Sequence, residues 1–265
     1  MSLVISELSR HGIVMVGDTA LVDEIGSAKK RLTTKVQYFP KAMIGITCWG
    51  LGGINEAYLD EYLAEFIANN DHEDIDIESL ANLLSDAVNH WFDDNNVKPN
   101  KRIGGLHIGG YCEGDPKLWH IHRSDSDPDP QTFKLFKDWP ESKGISQKEL
   151  NSQIRYGQVY IFNGKHKHCN IALEGLKLSQ TLSDMILNLS YPEDSVLGRV
   201  SFLKHLLRTV ATMCYSTLQA TEVSDSMVFL AFDRKGLITR GFSHISEIED
   251  LDAPVFLVDD IASSL

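Results

Sequence analysis

Short apolar runs bounded by turn residues predict β-strands along most of the chain. The runs cover residues 3–8, 13–18, 34–39, 42–48, 104–112, 117–122, 158–162, 227–233 and 237–240. Tight turns join several consecutive runs, as at His11-Gly12 and at Glu113 to Pro116. Such turns predict antiparallel hairpins, the first of which ends in the carboxylate of Asp18.

Apolar residues at three- and four-residue spacing predict amphipathic helices between these strands. The helical segments are 54–69, 77–92, 172–189 and 196–219. The chain therefore runs through strands, two helices, strands, two helices and strands. Each helix pair has an apolar face to bury, and each strand set has an apolar surface. This order predicts an α/β (α+β) fold, a four-layer αββα sandwich of two antiparallel sheets flanked by helix pairs.

A polar segment over residues 123–155 interrupts the pattern. It contains Asp125, Asp127 and Asp129 interspersed with Pro128 and Pro130. We expect a long loop or insertion here rather than a linker between domains. A length of 265 residues allows one large domain with a substantial core, and we predict a single domain over residues 1–265.

The composition excludes several classes of protein. A net charge of −12 argues against binding to nucleic acid or to anionic membranes, both of which attract basic surfaces. No run approaches the roughly 20 apolar residues of a membrane span. The four cysteines form no CxxC pair, which favours a reducing compartment. Glu7 and Arg10 interrupt the apolar N-terminus, so no signal peptide is predicted and the expected location is cytoplasmic.

The N-terminus carries the strongest candidate chemistry. If Met1 is removed, Ser2 supplies a hydroxyl nucleophile together with a free α-amine that can accept its proton. The pKa of an α-amine is about 7.7–8.0, so the neutral base is available near physiological pH. A lysine ammonium nearby favours ionisation of the nucleophile, and a carboxylate holds that lysine. Ser2, Lys35 and Asp18 have the chemical types for these three roles.

These motifs resemble the proteasome β-subunit-like family of N-terminal-nucleophile (Ntn) hydrolases, in its bacterial proteasome-related type. The resemblance rests on the hairpin ending in Gly17-Asp18, on Thr34-Lys35-Val36, and on the glycine-rich segment after Ile44-Gly45-Ile46. Counted from Ser2, Asp18 falls at the family's spacing. Lys35 falls one residue late, which a longer intervening loop explains.

The resemblance implies further site residues. The backbone N–H of Gly50 is expected to stabilise the oxyanion. Asn163 stands where the family has the serine of a glycine-serine-glycine turn, and Ser224 stands near the family's second supporting serine. The resemblance also implies a homo-oligomer, ring-like in form, and no cofactor or metal.

The sequence thus predicts hydrolysis of peptide or small amide bonds with Ser2 as the N-terminal nucleophile after Met1 removal. One alternative is a catalytically inactive protein of the same fold that acts in oligomeric assembly or binding, and a retained Met1 favours it.

A metal site is a more distant alternative. His120 and His122 alternate on one predicted strand, and His166, His168 and Cys169 cluster after Gly164. Zinc uses such ligands, but no spacing connects the two groups. Solvent-facing histidines explain this pattern better than a metal site.

Overall fold

The structure is a computed structural model that describes residues 3–22, 28–50, 52–54, 57–102, 104–123, 134–136, 146–156, 158–164, 169, 171–172, 174–175, 195–218 and 226–244. The strands are β1 (Leu3–Ser9), β2 (Gly12–Asp18), β3 (Ala20–Val22), β4 (Ala28–Leu32), β5 (Val36–Phe39), β6 (Ile44–Gly50), β7 (Gly53–Ile54), β8 (Ala57–Tyr58), β9 (Gly104–Cys112), β10 (Asp115–Arg123), β11 (Lys134–Phe136), β12 (Gln158–Gly164), β13 (Ser226–Asp233) and β14 (Gly236–His244). The helices are α1 (Leu59–Asn70), α2 (Ile77–Asp94), α3 (Gln147–Tyr156) and α4 (Val196–Leu218).

Two five-stranded antiparallel sheets form the centre of the fold. The first has the strand order β12-β1-β2-β13-β14 and the second has the order β11-β10-β9-β6-β5. The prediction of a mixed α/β fold with antiparallel sheets is confirmed. β1 and β2 lie inside the first sheet, where each pairs with a strand on both sides.

Alternate side chains of β1 belong to two different apolar clusters, one on each face of the first sheet. Leu3 and Ile5 pack in one buried cluster with Leu203 of α4. Leu8 packs in another cluster that includes Tyr38 and Leu118 of the second sheet. Because successive strand residues point to opposite faces, one strand contributes to both clusters. Burying a leucine fully contributes about 1.5–3 kcal/mol.

The helix α2 covers the other face of the second sheet. Its residues Leu80, Leu84 and Val88 are buried in a cluster with Ile46 and Ile108. The helix begins after Asp76, whose carboxylate accepts a hydrogen bond from the backbone N–H of Ser79 at 2.8 Å. This cap satisfies one amide that the first helical turn leaves without a partner. The predicted helix over 77–92 is confirmed.

The structure differs from the sequence prediction in three segments. The first predicted helix begins at Leu59 rather than at residue 54, because β7 and β8 pair with each other before it. The polar segment 123–155 contains β11, which extends the second sheet beyond β10, and most of α3. The hairpin of β3 and β4 was not predicted at all. Most of the helix predicted over 172–189 lies outside the described residues.

The helix α3 shows why a polar segment still folds. Leu150 and Ile154 are four residues apart, so they lie on one face of the helix and are both buried against the first sheet. The other positions of α3 are mostly polar, so the composition of the segment does not reveal these two apolar residues.

Among the helices in the described part of the chain, none is long and apolar enough to cross a membrane.

Candidate active site

The carboxylate of Asp18 is the centre of a compact hydrogen-bonded group at one end of the first sheet. Asp18 Oδ1 accepts hydrogen bonds from the backbone N–H of Leu3 and from Lys35 Nζ, both at 2.7 Å. Asp18 Oδ2 accepts from the backbone N–H of Ala20 at 3.0 Å. The β1–β2 register explains the first contact, because Val4 pairs with Gly17 and so brings Leu3 beside Asp18.

Burial and hydrogen bonding fix the geometry of this ion pair. Asp18 has no exposed surface, and Lys35 is only 4% exposed. Two backbone amides and one ammonium group therefore replace the water that a carboxylate otherwise requires. The ammonium of Lys35 is held beside the amide that directly follows Ser2 in the chain.

Lys35 reaches Asp18 because position 17 carries no side chain. A Cβ built on Gly17 lies 3.2 Å from Lys35 Cβ and 3.3 Å from Val4 Cγ1. Both distances are shorter than ordinary van der Waals contact. A hydrogen bond also fixes the backbone of Lys35, because its carbonyl accepts from the N–H of Cys48 at 2.9 Å.

We expect Gly17→Ala to move Lys35 away from Asp18 and to lower the free energy of unfolding by about 1–3 kcal/mol, the usual cost of overpacking a core. Chemical denaturation measures the loss of stability, and a crystal structure measures the distance between Nζ and Oδ1. The matched control is Gly175→Ala, because a Cβ at Gly175 meets nothing within 4 Å. An alanine variant with unchanged stability would contradict this packing argument.

A small cleft opens next to Lys35. Leu21, Leu59 and Trp49 form apolar parts of its wall, and the buried carboxylate of Asp60 lies among them. Cys48 also lines the cleft, but burial raises the pKa of its thiol to about 12. The thiol is therefore protonated at neutral pH and is a poor nucleophile.

The predicted oxyanion residue Gly50 lines the same cleft as Lys35. Its φ of 94° lies in the left-handed region, which only glycine adopts without strain. Its catalytic role stays a prediction. Ser2 and Ser224 lie outside the described residues. Asn163 lies on β12, directly opposite Val4 in the pairing with β1.

A second polar group, of which the sequence predicted only Asn163, joins the two sheets. Ser6 Oγ lies 2.9 Å from His107 Nδ1, and His107 Nε2 lies 2.7 Å from Asn163 Oδ1. The first distance suits a nucleophile and its base. Ser6 and His107 have no exposed surface, however, so the hydroxyl of Ser6 cannot meet a substrate.

Sequence reasoning had little chance of finding this group. Ser6 and His107 are separated by 101 positions, and they meet only because the two sheets face each other. One signal was present, since Ser6 is a polar residue inside an apolar strand. A buried polar side chain in a strand requires a hydrogen-bonding partner.

Comparison with known proteins gives structural neighbours and no sequence relative. No family model and no curated protein matches the sequence. The Anbu (Gly-1) mutant from Hyphomicrobium sp. strain MC1 aligns with 92% of this chain and 87% of its own, at 12% identity and a TM-score of 0.55. Anbu (ancestral beta-subunit) from Yersinia bercovieri aligns with 92% and 86%, again at 12% identity and a TM-score of 0.55. Likenesses at this identity show that the fold is shared with Anbu.

The assignment to the proteasome β-subunit-like family of Ntn hydrolases, in its bacterial proteasome-related type, is therefore wrong. No family model matches the sequence, and the likeness to the two Anbu structures, at 12% identity, shows the fold alone. The sequence motifs cited for the assignment were short, and 12% identity leaves most positions different. The coarser statement holds, namely that this chain shares the fold of the Anbu proteins.

The histidines give no metal centre in the part of the chain that the structure describes. No group of three or more histidine, cysteine, aspartate or glutamate side chains there could hold a metal ion. The rings of His120 and His122 lie 4.4 Å apart between centroids, as their alternation on β10 predicts. His166 and His168 lie outside the described residues.

Proposed function

We propose that this chain hydrolyses amide bonds with Ser2 as an N-terminal nucleophile, after removal of Met1. One observation carries the proposal: Lys35 Nζ and the backbone N–H of Leu3 donate to the same oxygen of Asp18, each at 2.7 Å. Because the Leu3 nitrogen is bonded to residue 2, the α-carbon of Ser2 lies about 2.4 Å from that nitrogen. A buried ammonium is thus held within reach of residue 2.

The reaction follows from these groups in two steps. The hydroxyl oxygen of Ser2 attacks the amide carbonyl carbon while the α-amine of Ser2 accepts the hydroxyl proton. The tetrahedral oxyanion is stabilised by the N–H of Gly50, and the amine passes the proton to the leaving nitrogen. A water molecule then attacks the resulting ester of Ser2, which releases the carboxylic acid and restores the hydroxyl. Lys35 favours the neutral amine and the developing alkoxide, and Asp18 holds Lys35 in place.

A peptide or small amide is the proposed substrate class. Leu21, Leu59 and Trp49, which line the small cleft beside Lys35, offer apolar contacts to the side chain of an acyl group. The four-layer order and the single domain also belong to the proposal. They are supported by the separate apolar clusters on both faces of the first sheet and under α2. The homo-oligomer and the cytoplasmic location stay predictions.

The first test is the N-terminus of the purified full-length protein. Intact-mass analysis is expected to show the loss of one methionine. A β-lactone that acylates hydroxyl groups is then expected to add one equivalent, and peptide mapping to locate it on Ser2. The variant Ser2→Ala should lose both the label and the amide hydrolysis.

The control variant is Ser201→Ala, which removes an exposed hydroxyl on α4 and should label like the parent. A retained Met1 contradicts the proposal, because the α-amine then belongs to residue 1 and Ser2 has no base. That outcome favours the inactive assembly or binding protein of the same fold. Labelling of Ser2→Ala at the parent rate would also contradict the proposal.

A further inference from the structure

One buried histidine joins the two sheets through both of its ring nitrogens. His107 Nδ1 on β9 lies 2.9 Å from Ser6 Oγ on β1, and His107 Nε2 lies 2.7 Å from Asn163 Oδ1 on β12. Ser6 and His107 have no exposed surface, and Asn163 is partly exposed. A single side chain of the second sheet thus holds two neighbouring strands of the first sheet.

The ring of His107 is neutral in this network. Asn163 Oδ1 can only accept a hydrogen bond, so the ring proton is on Nε2, and Nδ1 accepts the hydroxyl proton of Ser6. Burial lowers the pKa of His107 to about 4, although the hydrogen bond to Asn163 opposes this shift. The ring is therefore uncharged at pH 7. A proton taken up from solvent binds at Nδ1, the atom that accepts from Ser6.

In the described part of the chain, the groups around His107 offer no negative charge to a protonated ring. Thr47 of β6 pairs with His107 in the strand register and is itself buried. On β10, the ring of His120 lies 5.1 Å from that of His107 between centroids. The positive charge of His122 lowers the pKa of His107 further, and Lys134 of β11 pairs with His122. No carboxylate of a described residue shifts the pKa of His107.

A charged His107 is consequently a buried cation without a counter-ion. Such a charge is strongly unfavourable away from water, and water reaches this ring only if the sheets move apart. Leu8, Tyr38 and Leu118 pack in the apolar cluster between the same two sheets. Separation of the sheets would expose part of that cluster.

We propose that His107 is an acid-sensitive latch between the two sheets. The neutral ring fastens β9 to β1 and β12, and the charged ring admits water and loosens the contact between the sheets. The latch is independent of the proposed hydrolysis, because none of the groups that take part in that reaction belongs to it. In particular, Asp18 and Lys35 form their own ion pair at 2.7 Å.

The direction of the pH dependence follows from the lowered pKa of His107. The unfolded chain has the ordinary pKa of 6.5, so it takes up the proton at a higher pH than the folded protein does. The stability contributed by the neutral ring is fully present above pH 6.5 and is lost as the pH falls from 6.5 towards about 4. The unfolding equilibrium constant should rise about tenfold for each pH unit in this window, or roughly 10²-fold in all.

Chemical denaturation between about pH 7 and about pH 4 tests this dependence in the parent and in His107→Gln, whose amide does not titrate. The ratio of the two unfolding constants cancels the titration of the carboxylates that both proteins share. We expect this ratio to rise roughly 10²-fold across the range. His90→Gln is the control, because His90 is exposed on α2, and its profile should run parallel to that of the parent. Parallel profiles of the parent and His107→Gln would overturn the latch.

A second variant supplies the counter-ion that the network lacks. Asn163→Asp places a carboxylate against Nε2 of His107, and an opposite charge favours the protonated ring. The titration of His107, followed by ¹⁵N NMR of its ring nitrogens, should move to higher pH, and the loss of stability in acid should shrink. If His107→Gln does not fold, this comparison decides. A midpoint in Asn163→Asp at or below that of the parent would overturn the latch.

Loosening of the sheets is measured separately from unfolding. The dye ANS reports exposed apolar surface, and far-UV circular dichroism reports secondary structure. As the parent is acidified, dye binding should rise at a higher pH than that at which the dichroism is lost. His107→Gln should show no such separate rise. Coincident transitions in the parent would contradict the latch and would leave His107 with a structural role alone.

Discussion

Replacement of Lys35 by methionine is expected to reduce amide hydrolysis roughly 10²–10⁴-fold and to lower the free energy of unfolding by about 3–5 kcal/mol. The loss of activity follows from removing the ammonium that favours the neutral amine and the developing alkoxide. The loss of stability follows from Asp18, which has no exposed surface and would keep the hydrogen bonds from the amides of Leu3 and Ala20 while losing the ammonium that compensates its charge. Single-turnover acylation and chemical denaturation measure the two effects separately.

The double variant Lys35→Met/Asp18→Asn separates catalysis from folding. It removes both buried charges, so much of the lost stability should return while the activity stays at the level of Lys35→Met. Lys41→Met is the control, because Lys41 is exposed in the turn between β5 and β6. If the double variant regained activity together with stability, Lys35 would have a structural role alone.

The variant Arg199→Met is expected to lose about 3–5 kcal/mol of the free energy of unfolding without any direct effect on the site. Arg199 Nε and Nη2 donate to Glu7 Oε1 and Oε2 at 2.8 Å and 2.7 Å. Glu7 has no exposed surface and lies in the middle of β1, so the pair fastens the start of α4 to the first sheet. Removing the guanidinium leaves a buried carboxylate with no compensating cation.

The stability loss in Arg199→Met should depend on pH in a defined direction. Burial raises the pKa of Glu7 above its ordinary value of 4.5, and Arg199 opposes that rise. Without Arg199 the pKa of Glu7 in the folded protein rises further. A carboxyl group with a raised folded pKa favours folding below its unfolded pKa, and that contribution is lost as the pH rises through the folded pKa.

The difference in unfolding free energy between the parent and Arg199→Met should therefore be small near pH 4.5 and largest at neutral pH. Denaturation curves at several pH values test this, with Arg155→Met as the control because Arg155 is exposed on α3. A difference that is constant across this range would mean that Arg199 stabilises by packing on Phe202, whose ring centroid lies 4.6 Å from its guanidinium carbon.

Local patterns predicted most of the elements because the elements are amphipathic. The β1–β2 hairpin, the α2 helix and the last hairpin follow directly from apolar spacing and turn residues. The sequence failed where few apolar residues mark an element. Only Leu150 and Ile154 mark α3, and β11 exists because β10 offers it an edge for pairing. Paired strands as short as β7 and β8 contain too few residues to show an alternation of apolar and polar side chains.

The candidate site also combines features that could be predicted from the sequence with features that only the structure shows. The chemical types of Ser2, Asp18 and Lys35 could be read from the chain, and the structure brings Lys35 to Asp18. Their catalytic roles stay predictions. The resemblance named a family that the comparisons do not support, because short motifs around a hairpin identify a fold better than a membership.

The sequence by itself determined the longer amphipathic strands and helices, since side-chain periodicity is a local property. It also determined that an aspartate ends β2, one hairpin after the N-terminus. Only the tertiary structure decided which polar groups meet. The Leu3 amide and Lys35 share Asp18 because of strand register and because Gly17 leaves room, while His107 reaches Ser6 and Asn163 because two sheets face each other. Contacts between residues distant along the chain depend on packing, which no local pattern encodes.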